Sequence, residues 1–120
     1  GSMTQNTHHH LSYLELPVSD LAASKAFFQQ VFAWSFVDYG PDYTCVTDQA
    51  LGIGFFRSEL HAQGVTGSAL PVLFSTDLDA SLKAVRVAGG VIVKPTFEFP
   101  GGKRFHFHDP GGNEFAVFAE

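Results

Sequence analysis

The sequence predicts an α+β fold of two tandem β-α-β-β-β modules that form a curved mixed sheet with the helices outside. The first observation is a repeat, since the DLAAS run at 20–24 returns as DLDAS at 77–81. The second is that both halves show the same order of one strand-like run, one helical run and three further strand-like runs. Because one module cannot bury its sheet alone, we expect the two to combine, leaving a concavity opposite the helices.

Size and composition restrict the class of protein. A chain of 120 residues with 45% hydrophobic and 16% charged residues is typical of one folded domain. A net charge of −5 without a basic cluster argues against a nucleic-acid partner. The single cysteine, Cys45, excludes an intrachain disulfide and is expected to be a small buried side chain. No run is long enough to cross a membrane, and we expect a cytoplasmic protein.

Changes in pattern along the chain predict its divisions. Residues 1–10 form a lead-in, in which Gly1-Ser2 before Met3 resembles a cloning scar and His8–His10 is not taken as a metal tract. Residues 11–57 are the first module, and 70–120 are the second. The glycine-containing segment 58–69 has the weakest pattern, and we expect a linker there.

The first module begins with a strand at 11–18, in which Leu14, Leu16 and Val18 alternate with polar residues. Ser19-Asp20 predicts an N-cap, and apolar residues at helical spacing predict a helix over 21–33. Further strands are predicted over 34–39, 43–47 and 52–57. Glycines in the last of these strands indicate a close approach by another group.

The second module repeats this order. We predict a strand at 71–75, a helix at 78–88 that begins after Asp77 and ends at Gly89-Gly90, and a strand at 91–97. A turn at 99–102 leads into a final hairpin. The run at 109–113, DPGGN, combines a fixed proline φ with two glycines, so the chain reverses there.

The alternation within the strands predicts which side chains face the concavity. Phe105 and Phe107 are expected to cover a helix, which turns Arg104 and His106 to the other face. The same argument turns Glu114, Ala116 and Phe118 inward on the last strand, and Tyr13 and Glu15 inward on the first.

Two runs carry a resemblance to a known family. The duplicated modules, the run 14–34 (LELPVSDLAASKAFFQQVFAW) and the hairpin 105–118 (FHFHDPGGNEFAVF) resemble the glyoxalase/bleomycin-resistance/dioxygenase superfamily, also called the vicinal oxygen chelate superfamily. The resemblance covers residues 11–118. It implies a U-shaped cavity on each curved sheet, often completed by a second subunit.

The resemblance also implies a divalent metal in the superfamily's enzymes. Its usual ligands are a His on the first strand of one module, a His or Gln on that of the other, and a Glu near the end of the last strand. The matching positions here hold Tyr13, Leu70 and Ala116. Since a Zn²⁺ or Fe²⁺ site needs several convergent nitrogen or oxygen ligands, we predict no cofactor. A shifted set of Glu15, His106 and Glu114 is the alternative.

The candidate ligand-binding residues are therefore Tyr13, Glu15, Arg104, His106 and Glu114. The superfamily's phosphonate-modifying enzymes place substrate contacts at positions that match Arg104 and His106. Arg104 is then an anion anchor, and His106 is the candidate catalytic residue because it exchanges a proton near neutral pH. The structural alternatives are an ion pair of Arg104 with Glu15 or Glu114, and a polar His106 on a wet sheet.

Two functions remain open. The first is a metal-free, homodimeric protein that binds or sequesters a small oxygenated metabolite or drug. The second is a metal-dependent lyase, isomerase or dioxygenase with the shifted site. A third possibility is a cavity filled by side chains such as Phe55, Phe56 and Phe118.

Overall fold

A computed structural model describes residues 6–47 and 49–120, so the scar interpretation of Gly1-Ser2 and the predicted turn position Asp48 lie outside the described residues. The first module comprises β1 (Tyr13–Val18), α1 (Leu21–Phe32), β2 (Ser35–Asp38), β3 (Tyr43–Thr47) and β4 (Gly52–Arg57). The second comprises β5 (Val72–Phe74), α2 (Leu78–Val87), β6 (Val91–Phe99), β7 (Gly102–His108) and β8 (Glu114–Ala119). A short 3-10 helix, Gly64–Thr66, lies between them.

Each module contains a four-stranded mixed sheet, which confirms the predicted fold class. The strand orders are β1-β4-β3-β2 in the first sheet and β5-β8-β7-β6 in the second. The outer strands β1 and β5 run parallel to β4 and β8, and the other pairs are antiparallel. The two sheets are hydrogen-bonded separately and are not joined into one ladder. Within the described part of the chain, no helix is long and apolar enough to span a bilayer.

The repeated motif forms the same helix start twice. Oδ1 of Asp20 accepts a hydrogen bond from the backbone N–H of Ala23 at 3.1 Å, and Oδ1 of Asp77 accepts one from Ala80 at 3.1 Å. The predicted end of α2 is confirmed, because Gly89 has φ +97° and the N–H of Gly90 donates to Val85 O at 2.9 Å.

Both modules contribute to one core on the helix side of the two sheets. The ring of Phe28 in α1 lies 5.7 Å from that of Phe55 in the first sheet and 5.0 Å from that of Phe115 in the second. The predicted core faces are confirmed, with Val18 and Phe105 among the fully buried side chains. Each sheet therefore has an inner face, defined here as the face turned away from the helices, outside this core.

The segment 58–69 is packed against the β7–β8 turn and is called the strap below. Its Ala62 exchanges two bonds with the turn, as its N–H donates to Asn113 Oδ1 at 2.8 Å and its carbonyl accepts from Glu114 N–H at 2.8 Å. Gln63 Nε2 donates to Gly112 O at 2.7 Å. The sequence predicts a plain linker here. The bonds that hold this segment join residues about fifty positions apart, so no local sequence pattern reveals them.

Candidate functional site

A buried histidine–carboxylate pair lies on the inner face of the second sheet. Antiparallel pairing places His106 opposite Ala116, so His106 and Glu114 share one face. His106 Nδ1 lies 2.8 Å from Glu114 Oε2, with the two side chains 3% and 10% exposed. Glu114 Oε1 accepts a bond from the N–H of Gly64 in the strap at 2.8 Å. The bonds from His106 and then from Gly64 lower the pKa of the Glu114 carboxyl.

The other nitrogen of the imidazole is unoccupied. His106 Nε2 is buried and has no hydrogen-bond partner among the described residues. A buried polar atom without a partner is uncommon in folded proteins and calls for an explanation. A ligand group that bonds to Nε2 would supply one.

Arg104 lies beside this pair with its charge uncompensated. Its guanidinium carbon is 5.4 Å from the centre of the Phe97 ring and 5.2 Å from that of Phe99. Its Nε is buried without a partner. Among the described residues no carboxylate lies within ion-pair distance of it, so the alternative pair with Glu15 or Glu114 does not form.

Aromatic rings extend this surface into an open apolar shelf. The ring of Phe118 lies 5.2 Å from that of Phe74 and 6.3 Å from that of Phe99. Phe74 remains 54% exposed, so the shelf is open in the single chain. We call the whole surface the Arg104 face; it comprises Phe74, Phe97, Phe99, Arg104, His106, Glu114 and Phe118.

The inner face of the first sheet carries a separate polar group, here called the phenol cluster: Tyr13, Glu15, Tyr43 and Cys45. The two tyrosine hydroxyls are hydrogen-bonded to each other. Tyr43 also donates to Glu15 Oε2 at 2.9 Å, and the Tyr13 hydroxyl lies 3.1 Å from Cys45 Sγ. Tyr13 is 45% exposed, and its hydroxyl contacts both Tyr43 and Cys45. Desolvation by these neighbours, followed by the bonds with Cys45 and Tyr43, raises the pKa of Tyr13.

Sequence reasoning missed Tyr43 and Cys45 as members of a site. Cys45 is only partly buried and hydrogen-bonded, whereas a purely apolar role was expected. The available signal was Gly54, because a Cβ there would overlap both tyrosine hydroxyls. The glycines of β4 therefore allow the two phenols to lie against the strand.

The predicted site residues divide between the two sheets. Tyr13 and Glu15 lie in the phenol cluster, whereas Arg104, His106 and Glu114 lie on the Arg104 face. The shifted metal set is thus only partly assembled, as Glu15 is bonded to Tyr43 and does not join the other two. In the part of the chain that the structure describes, no three His, Cys, Asp or Glu side chains form a metal-binding group. Phe55 is fully buried in the core and does not fill either inner face.

Two clefts accompany these surfaces. One of about 630 Å³ lies beside the phenol cluster, between Glu15, Phe56 and the strap. The other, of about 420 Å³, is lined by mostly apolar residues such as Leu14, Trp34 and Phe115. The second cleft reaches Phe74 at the edge of the Arg104 face, but none of Arg104, His106, Glu114 and the phenol cluster lines it, so we take the inner faces as the candidate site.

A sequence profile of the Glyoxalase/Bleomycin resistance protein/Dioxygenase superfamily matches residues 9–117. The chain belongs to this superfamily. No curated protein sequence matches it. Similar solved structures include a glyoxalase-related enzyme from Fulvimarina pelagi, with a TM-score of 0.78, 17% identity, and coverage of 93% of this chain and 88% of that one.

Two further similar structures have names that describe an activity. A genomically encoded fosfomycin resistance protein from Listeria monocytogenes has a TM-score of 0.76 and 18% identity, covering 95% of each chain. A lactoylglutathione lyase from Agrobacterium tumefaciens has a TM-score of 0.71 and 16% identity, covering 95% of this chain and 96% of that one. At these identities the likeness shows the fold alone.

The metal typical of the superfamily's enzymes does not fit the residues found here. Of the three expected ligand positions, Tyr13 is a phenol whose raised pKa keeps it protonated and whose hydroxyl bonds Tyr43 and Cys45. Leu70 has no donor atom, and Ala116 is a fully buried methyl group opposite His106. Metal ligands must be deprotonated oxygen, nitrogen or sulfur atoms.

Proposed function

We propose that this superfamily member binds a small oxygenated organic anion on the Arg104 face without a resident metal. One observation carries the proposal: Arg104 is held between two aromatic rings with its Nε buried and no carboxylate within ion-pair distance among the described residues. The imidazole of His106, two residues along the same strand, supplies the second polar contact.

The energetics support an anionic ligand. A desolvated cation costs free energy unless an opposite charge or hydrogen-bond acceptors compensate it. The chain has a net charge of −5, yet the carboxylate on this surface, Glu114, is bonded to His106 and Gly64 and not to Arg104. The free guanidinium edge suits a carboxylate or phosphonate, which it binds by two parallel bonds.

The names of the similar structures are consistent with such a ligand, since one is a fosfomycin resistance protein and another a lactoylglutathione lyase. For this chain we propose binding or sequestration. A metal-dependent lyase, isomerase or dioxygenase would need Glu15 beside His106 and Glu114, and the phenol cluster holds Glu15 instead.

We further propose that a second copy of the chain completes the pocket. Val72 and Phe74 at the edge of the shelf are 46% and 54% exposed, which leaves an apolar surface that a partner would cover. Sedimentation equilibrium is expected to show a dimer. A monomer at every concentration tested would contradict this part of the proposal and leave the Arg104 contact to be judged separately.

Calorimetric titration with benzoate as the probe tests the Arg104 contact. Arg104→Gln is expected to weaken benzoate binding by about tenfold or more, because a charge-assisted bond is lost. Lys103→Gln is the matched control, since it removes the same charge from the neighbouring, exposed residue on the other face of β7. Equal weakening by the two variants, or binding of neither benzoate nor its hydroxylated analogue salicylate by the parent protein, would refute the proposal.

A further inference from the structure

We infer that the ligand of the Arg104 face is a hydroxylated carboxylate with an apolar body, and that His106 selects it by accepting a hydrogen bond from its hydroxyl. This inference rests on the proposed anion site and adds a requirement to it. A carboxylate alone would satisfy Arg104. The requirement for a hydroxyl comes from the buried, unpartnered Nε2 of His106.

The hydrogen-bond partner of Nδ1 determines which nitrogen carries the proton. The Glu114 carboxylate only accepts hydrogen bonds, and it lies 2.8 Å from Nδ1, so Nδ1 is the protonated nitrogen. In the neutral imidazole Nε2 then has a free lone pair and no hydrogen. It can accept a bond from a ligand but cannot donate one.

The groups around the imidazole leave Nε2 to be satisfied by a ligand. Glu114 occupies Nδ1, and His106 is 3% exposed. Lys94 lies opposite His106 in the β6–β7 register, and His108 lies opposite Glu114. No described side chain donates a hydrogen bond to Nε2. The ligand therefore meets an acceptor at His106 and donors at Arg104.

The placement of the two groups limits the ligand's shape. Arg104 and His106 are separated by one residue on β7, so their Cα atoms are about 6.6 Å apart along the strand. Both side chains contact the Phe97 ring. A hydroxyl one or two carbons from a carboxylate can lie between them, and the remaining apolar body can cover Phe74 and Phe118.

A ligand without the hydroxyl would leave Nε2 buried and unpaired. An unpaired buried acceptor costs more than a typical hydrogen bond contributes, so a site of this kind rejects the analogue that lacks the donor. We therefore expect a preference of about tenfold or more for a hydroxy acid over the matching deoxy acid.

Matched pairs of probes test this preference by calorimetry. The pairs are 3-phenyllactate with 3-phenylpropionate, and salicylate with benzoate; within each pair only the hydroxyl differs. We expect at least one hydroxy acid to bind about tenfold more tightly than its partner. Equal affinities within both pairs would overturn the inference while leaving the proposed anion site intact. If the protein bound none of the four acids, the proposed function itself would be refuted.

Two variants assign the preference to His106. His106→Asn keeps an amide donor in the place of Nδ1, which preserves the bond to Glu114, but removes Nε2. In this variant the hydroxy acid and the deoxy acid are expected to bind about equally, and the affinity for the deoxy acid is expected to be unchanged. In Glu114→Gln the amide oxygen is expected to keep the bond from Gly64 N–H, which turns the amide NH₂ toward Nδ1. The imidazole proton then moves to Nε2, and the preference is expected to disappear in this variant as well. A preference that persists in a folded His106→Asn protein would overturn the inference.

Discussion

Glu114 connects the strap to His106 through its two carboxylate oxygens. Oε2 lies 2.8 Å from His106 Nδ1, and Oε1 accepts the Gly64 N–H at 2.8 Å. The orientation of an imidazole on the Arg104 face is therefore linked to the position of a segment fifty residues earlier in the chain.

The first prediction is that Glu114 stabilises the fold mainly above its folded pKa. Because that pKa is lowered, the contribution is complete above the unfolded value of about 4.3 and is lost as the pH falls through the folded value. Glu114→Gln is expected to cost about 1–3 kcal/mol of the free energy of unfolding at neutral pH, and less in acid. Urea denaturation across this range measures it. Glu98→Gln, at an exposed site, is the control, and an equal loss in both variants would contradict the prediction.

The second prediction concerns Asp109, whose pKa is shifted in the opposite direction from that of Glu114. Asp109 is 4% exposed and its Oδ2 is unpartnered, so burial raises its pKa to about 6 despite backbone bonds from Asn113, Gly111 and Gly112. The folded state then holds the proton more tightly than the unfolded state. Stability is highest below the unfolded pKa and falls as the pH rises through about 6, by up to about 3 kcal/mol.

Asp109→Asn tests this by removing the titration. Its free energy of unfolding is expected to vary less between about pH 4 and 6 than that of the parent protein. The difference between the two profiles isolates Asp109 from Glu114, which both proteins retain. A difference that stays constant over the range would show that Asp109 does not titrate in it.

The third prediction is that Asn113 is the most costly polar side chain of the turn to remove. It is fully buried, its Nδ2 donates to Pro17 O at 2.7 Å, and its Oδ1 accepts from Ala62 N–H at 2.8 Å. Asn113→Ala leaves both groups unpaired and is expected to cost about 2–4 kcal/mol by chemical denaturation. Gln30→Ala on the exposed side of α1 is expected to cost little. A similar small loss at both sites would be inconsistent with this role.

The fourth prediction is that Ala33→Gly stabilises the protein. Ala33 ends α1 with φ +57°, a conformation that costs an L-residue about 1–2 kcal/mol and glycine almost nothing. The net gain is expected to be about 1 kcal/mol after the added chain entropy of glycine. Ala26→Gly within the same helix is expected to lose about 1 kcal/mol, and thermal melts distinguish the two signs. A loss of stability in both variants would contradict the argument from the backbone conformation of Ala33.

The fifth prediction concerns the phenol cluster. The raised pKa of Tyr13 means that its phenolate forms less readily in the folded protein than in the unfolded chain. Stability is then lost as the pH rises through the unfolded value of about 10. The Tyr13→Phe variant is expected not to lose this stability at high pH. In an ultraviolet titration it is also expected to lack the phenolate that forms last in the parent protein. The protein unfolded in urea, where all tyrosines titrate normally, is the reference; an unchanged titration in Tyr13→Phe would refute the assignment.

Much of the local structure could be predicted from neighbouring residues. Asp20 and Asp77 identified the helix starts, and Gly89-Gly90 identified the end of α2, because each acts within a few positions of itself. The period-2 alternation placed Arg104 and His106 on the face away from the helices, as β7 shows. These features depend on steric and hydrogen-bonding rules within a single element.

The sequence by itself determined the two modules, the faces of their strands and the absence of the superfamily's metal ligands from Leu70 and Ala116. Only the tertiary structure decided that Glu114 bonds to His106 and not to Arg104, that Glu15 belongs to the phenol cluster, and that the segment 58–69 is a packed strap. The reason is physical. Each of those contacts joins residues from different strands or loops, so it depends on register and packing that no local pattern encodes. Arg104 is left without a carboxylate partner because Glu114 is bonded to His106 and Glu15 to Tyr43.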